Sequence, residues 1–163
     1  MDERQIGLAL ALRELGVSSD VTGFDSRLIL QKTVYLLEEA GIHLGYPFNW
    51  YLRGPYSPAL TRDLYGFSSN TDDLQGWNLD AKSLQISQRL KPLITRPSGE
   101  DLATKARRLE LAASILYLAR QQRINLESAE EAKSQLARNG KHFSTAEVAD
   151  AIDELKQVGL LVA

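Results

Sequence analysis

The stretch from Arg27 to Tyr65, "RLILQKTVYLLEEAGIHLGYPFNWYLRGPYSPALTRDLY", decides how the chain is read. Its first part sets Leu28, Ile29, Val34, Leu36 and Leu37 on one broad helical face, with Asp25 or Ser26 as an N-cap and Gly41 as the stop. "YPFNWYLRG" then alternates, with Phe48, Trp50 and Leu52 on one side and Asn49, Tyr51 and Arg53 on the other, which predicts a short extended segment near 46–53. Ser57 follows as an N-cap with Pro58 at the first helical position, where its missing N–H costs nothing, and a helix runs to Tyr65. Between strand and helix, Gly54 permits a backbone conformation that a side chain obstructs, and Pro55 stiffens the turn. This predicts a rigid loop with Tyr56 at its tip.

Working outward, Glu3–Leu15 is apolar at Ile6, Ala9, Leu10 and Leu12, and Gly16 suits a left-handed helix end. From Ser68 to Gly99 the signals weaken, because small polar residues dominate "SSNTDDLQG" and "LKPLITRPSG" holds two prolines; this reads as an irregular connector. "EDLATKARRLELAASILYLARQQ" is strongly helical and predicts the longest helix. In the tail, Ser144 and Glu147 have capping-box spacing, Val148, Ala151, Ile152 and Leu155 face inward, and Gly159 closes the helix ahead of a short apolar end. The expected fold is therefore mainly α, a compact helical bundle with one extended segment and a winged-helix-like C-terminal part. It is read as a single domain over 1–163, with sub-lobes near 1–68 and 100–163.

Composition narrows the function. The chain has 163 residues, 44% hydrophobic and 25% charged, an ordinary globular balance long enough for one core. With no cysteine there is no disulfide framework, thiolate zinc site or cysteine nucleophile, and a reducing, cytoplasmic setting is the expectation. "MDERQIGLALALREL" puts acids ahead of a short apolar run broken by Arg13 and Glu14, unlike a signal peptide, and no run of residues is apolar enough to span a membrane. Charge is uneven along the chain. From Lys82 to Arg123 nine bases face three acids, a balance of +6, whereas from Ile124 onward four bases face seven acids, a balance of −3. The basic stretch over 82–123 is the feature a nucleic-acid partner would use, by attraction to phosphate. The last helix is unsuited to a groove, since Glu147, Asp150, Asp153 and Glu154 would be repelled there.

Catalytic motifs are not found. His43 and His142 have no partner at metal-ligand spacing, and no nucleophile elbow, dinucleotide fingerprint or phosphate loop occurs. No metal or cofactor is expected, and an enzyme is the weakest of three readings, one that a deep pocket lined by Lys32, Tyr35, Arg53 and Ser57 would revive.

The arrangement of Leu30, Gln31, Lys32, Tyr35 and Leu36, followed by Tyr51, Gly54, Pro55, Tyr56, Ser57 and Leu60, resembles the signature of the Panacea, or SocA-like, antitoxin domain and its small bacterial relatives. The likeness covers about a quarter of the chain. It implies a mainly helical, noncatalytic module that binds and neutralises a cognate toxin, sometimes by presenting it to a protease, in a toxin–antitoxin or phage-defence setting. Lys32, Tyr35, Arg53 and Tyr56 are then the expected partner contacts, because rigid tyrosines and arginine are frequent interface anchors. Gln31, Gly54, Pro55, Ser57 and Pro58 form the structural loop; the alternative to the contact reading is that Gln31 and Tyr35 hydrogen-bond its backbone while Lys32 and Arg53 are solvated.

Overall fold

Helix α1 (Glu3–Leu15) ends where its sequence says it should: Asp2 and Gln5 make a capping box, and Gly16 takes φ 71° as the left-handed cap. The computed structural model describes residues 1–67 and 74–162. Helix α2 (Phe24–Ala40) begins at Gly23 rather than at Asp25 or Ser26, with Asp25 in its first turn, and stops at Gly41 with φ 112°. Two three-residue strands follow, β1 (Asn49–Tyr51) and β2 (Gly54–Tyr56), then α3 (Pro58–Tyr65), whose N-cap Ser57 accepts from the Leu60 amide. The chain continues through α4 (Ala81–Ile94), α5 (Leu102–Arg120), α6 (Ala129–Arg138) and α7 (Thr145–Gln157).

The fold is mainly helical, as expected, and α5 is its longest helix at 19 residues. Helix α5 packs on α2 and on α7, α6 packs on α7, and α1 packs on α4. Helices α2 and α5 are the axis of the molecule. Every residue of α2 from Ile29 to Leu37 is buried, as is α5 from Leu109 to Leu116, so neither helix has a solvent face along its middle. One continuous core runs from Leu8 and Leu12 through Leu30, Val34 and Leu116 to Val148 and Leu155.

Two expectations need correction. Residues 81–94 are a helix, not part of an irregular connector: Asp80 caps it on the Ser83 amide, and Ile86, Leu90, Leu93 and Ile94 enter the common core. Pro92 is tolerated because it lies in the last turn and removes only the bond to the carbonyl of Gln88, a residue on the exposed face where water can satisfy that group. Arg108 donates to the Leu93 and Ile94 carbonyls and Thr95 Oγ1 donates to the Leu15 carbonyl at 2.7 Å, tying this helix to α5 and α1. The expected irregular connector thus contains a helix, and its part at 68–73 lies outside the described residues.

The second correction concerns the stretch 49–56. Gly54, Pro55 and Tyr56 are a strand paired antiparallel to Asn49–Tyr51, with Tyr51 opposite Gly54 and Trp50 opposite Pro55. The turn is Leu52–Arg53, so Tyr56 lies at the base of a hairpin and not at a tip. Pro55 is compatible with pairing because a strand in a two-stranded ribbon has one side without a neighbour. Beyond α7, residues 158–161 are turns and bends. Among the described residues no helix is long and apolar enough to cross a membrane.

Candidate functional site

The hairpin rests on α2 and α5, and what holds it there is polar. Gln31 reads the start of α3 with both ends of its amide: Oε1 accepts from the Ser57 amide at 2.9 Å, and Nε2 donates to the Ser57 carbonyl at 3.0 Å and to Thr61 Oγ1 at 2.8 Å. Thr61 Oγ1 also shares a hydrogen bond with the Tyr56 hydroxyl at 2.7 Å. The Lys32 ammonium, fully buried, donates to the Pro55 carbonyl at 2.6 Å. Lys141, from the turn between α6 and α7, reaches across to the Leu52 carbonyl. Two lysines thus fasten two carbonyls of one hairpin from below.

Their counter-charge is Glu110 of α5. Its carboxylate lies 3.8 Å from the Lys141 ammonium and 3.9 Å from the Arg53 guanidinium, and it also favours the charged form of Lys32. Burial disfavours the charged form and pushes the Lys32 ammonium down to about 7, with Glu110 opposing the shift and Lys141 adding to it more weakly. Burial lowers Lys141 as well. Gly54 is required at this spot. It takes φ 89°, and a Cβ there would come within 2.6 Å of the buried Ser114 Oγ, so only a residue without a side chain lets the hairpin close onto α5.

Above this base the hairpin, α2 and α3 enclose a groove of about 530 Å³. It is lined by Phe24 and Leu28 of α2, Tyr51 and Tyr56 of the hairpin, and Leu64 and Tyr65 of α3. Its rim gathers large apolar side chains that the protein leaves in water: Leu52 is 86% exposed, Tyr65 58%, Phe24 53% and Tyr51 45%. Single exposed hydrophobic residues are commonplace, but four around one concavity make a patch of the kind that marks an interaction site. Arg53 stands at the rim, its guanidinium 5.5 Å above the Phe24 ring, and the Tyr51 and Tyr56 rings meet edge to face at 5.2 Å.

Of the four expected partner contacts, the structure leaves two accessible. Arg53 is exposed and Tyr56 half-buried, and both line the groove. Lys32 and Tyr35 are buried, so neither can sit on a contact ridge: Lys32 is a hairpin support, and Tyr35 packs among Phe48 and Tyr117 at ring separations of 5.3 and 6.1 Å. Burial, seconded by the nearby Glu39 carboxylate, pushes the Tyr35 hydroxyl above its ordinary range. The loop residues Gln31, Gly54, Pro55 and Ser57 do meet, with Gln31 the backbone partner expected of it, whereas Tyr35 makes no such bond and Pro58 is exposed at the start of α3. A catalytic pocket of Lys32, Tyr35, Arg53 and Ser57 is not assembled, since Tyr35 and Ser57 stay outside the groove.

Sequence reasoning missed Glu110, Ser114 and Lys141 beneath the hairpin, and Phe24, Leu52 and Tyr65 around the groove. Glu110 did leave a signal: it is an acid inside the apolar run from Leu109 to Leu116, where no helical face is free for it. The basic stretch is also altered by folding. Arg96, Arg107, Arg108 and Arg120 pair with Glu154, Glu147, Glu100 and Glu39, leaving Lys82, Arg89 and Lys91 exposed on α4. Both histidines are exposed, and among the described residues no cluster of three or more His, Asp or Glu side chains is placed to hold a metal ion. Set against family models, curated proteins and solved structures, the chain matches none of them.

Proposed function

We propose that this chain is a noncatalytic protein-binding module of the antitoxin-like type, which grips a partner, a cognate toxin or a defence-system component, in the groove beside its hairpin. The observation that carries this reading is the placement of Phe24, Tyr51, Leu52 and Tyr65 in water around one apolar concavity whose walls are pinned by buried hydrogen bonds. A rigid groove loses little conformational entropy on binding, and aromatic side chains supply large contact area for few rotatable bonds. The resemblance to the Panacea-type signature supports the same reading, because Gln31, Lys32, Gly54, Pro55 and Ser57 of that signature hold the hairpin in place.

Co-purification with the products of adjacent genes tests it. The wild-type chain is expected to retain one partner that Leu52→Glu and Tyr65→Glu each weaken by about tenfold, the loss of about 1.4 kcal/mol at a contact residue. Growth arrest by that product alone, relieved by the wild-type chain and not by the variants, is the expected outcome for the antitoxin role. A partner held equally by wild type and both variants would remove the groove from the interaction.

A further inference from the structure

The residues lining the groove include three cations, Arg27, Lys32 and Arg53, and no Asp or Glu. Of its uncharged polar groups, Gln31 is engaged on the Ser57 backbone and Tyr56 and Thr61 on each other, while the exposed Tyr51 and Tyr65 also line it. The charge that the groove offers a ligand is guanidinium. Each arginine carries five N–H donors, of which Arg27 gives one to the Val21 carbonyl at 2.9 Å, and Arg53, with a side chain 57% exposed, approaches its nearest carboxylate only at 3.9 Å. Covering such cations with a purely apolar ligand costs desolvation without return, whereas a carboxylate on the ligand offsets it.

Beyond Phe24, Leu28 and Arg53 the groove adjoins a smaller pocket of about 150 Å³ that Asp25, Ala103, Ala106, Arg107 and Glu110 also line, so two cations balance two acids there and the excess of positive charge belongs to the groove itself. Leu52 and Tyr65, 86% and 58% exposed, lie on the hairpin and on α3, so an occupant that covers both spans the groove from one element to the other.

Resting on the protein-binding reading above, we propose that the groove receives an acidic, apolar peptide segment of the partner. A bulky apolar side chain seats among Phe24, Leu28 and Leu64, and an Asp or Glu carboxylate pairs with Arg53 and Arg27.

The test is selection of a phage-displayed library of random dodecapeptides on the intact immobilised protein, followed by anisotropy titration of synthetic copies of the selected peptides. Peptides that join Asp or Glu to a bulky apolar residue are expected, with affinity weakened about fivefold by Arg53→Gln or Arg27→Gln and falling as salt is raised. Both substitutions remove charge without demanding a new fold, and circular dichroism verifies each variant. Selected peptides that need Leu52 and Tyr65 yet show no excess of acids, or that bind Arg53→Gln as well as wild type, would overturn the acidic ligand while leaving the protein-binding groove in place. Peptides indifferent to Leu52→Glu and Tyr65→Glu would remove both. Self-association of the chain abolished by Leu52→Glu would assign the groove to a second copy and overturn the proposal.

Discussion

Around α7 the ion pairs Arg107–Glu147 and Arg96–Glu154 lie in partly exposed positions over an interior of Leu136, Val148, Ile152 and Leu155. Beneath the hairpin the arrangement is inverted: Lys32, Lys141 and Glu110 are inside, while Phe24, Tyr51, Leu52 and Tyr65 face water. Both departures cost stability. Buried charges lose hydration that their mutual attraction restores only in part, and exposed apolar area is burial forgone. The C-terminal region is arranged as folds ordinarily are, whereas the hairpin region accepts two costs to hold one loop in one shape. A difference of that kind within a single core sets the hairpin region apart as the surface that the proposed binding role would use.

The contrast breaks first at Glu110. Replacing it with Gln leaves Lys32, Lys141 and Arg53 without their shared counter-charge, and the expected loss is about 3–5 kcal/mol in chemical denaturation at neutral pH. A loss below about 1 kcal/mol, the usual worth of a surface pair, would make the two regions alike. Acidity tests the same cluster. Lys32 falls to about 7 in the folded protein from 10.5 when free, so between those values the unfolded chain binds more protons than the folded one. Stability therefore rises with pH across that window, and the cost of the buried ammonium is present in full below it. Lys32→Met is expected to flatten this part of the denaturation midpoint against pH profile.

Gly54→Ala is next, at about 2–3 kcal/mol, since it meets Ser114 Oγ at 2.6 Å and forces a side chain to φ 89°. Adding Ser114→Ala relieves the contact and leaves the backbone strain, so the double variant recovers only part of the loss. Full recovery would show that steric fit alone selects glycine.

These residues also mark how far the sequence can be read. The helices at 3–15, 58–65 and 145–157 are legible because each combines a cap, a periodic apolar face and a stop, and these signals are local. Helix α4 carries equally local signals, with Asp80 as cap and Ile86, Leu90, Leu93 and Ile94 at helical spacing, but Pro92 masks them, because a proline breaks a helix only in its interior and the end of this one is not visible from sequence. The inward turn of Lys32 is hidden for another reason. Helical periodicity assigns one buried face, and α2 is covered all round, so a polar residue that reads as solvated lies under a hairpin more than twenty positions away in sequence. Tyr56 is misplaced by the sequence because Gly-Pro has the composition of a turn, when the turn is made by Leu52–Arg53 and glycine serves the approach to Ser114. Lys141 and Glu110 meet through tertiary packing alone, and nothing in the spacing of either announces the other.

The smallest expected effect belongs to the C-terminal region and completes the comparison. The Arg107 guanidinium bonds both Glu147 oxygens at 2.8 and 3.0 Å, and chiefly for that reason the carboxyl is lowered to about 2, with the Ser144 amide contributing. Stabilisation from this group is present above its free value of 4.5 and fades as pH falls toward 2. Glu147 also accepts the Ser144 amide in the α7 capping box, so deleting it would mix the loss of a cap with the loss of a pair. Glu147→Gln retains an oxygen for the cap while removing the charge and the second acceptor for Arg107. A double-mutant cycle with Arg107→Gln is then expected to give a coupling of about 0.5–1 kcal/mol, reduced in high salt, because both partners are more than a third exposed. A coupling as large as the Glu110 loss, insensitive to salt, would mean that the surface pairs around α7 carry the same electrostatic weight as the charges beneath the hairpin, and the inversion that singles out the groove would lose its meaning.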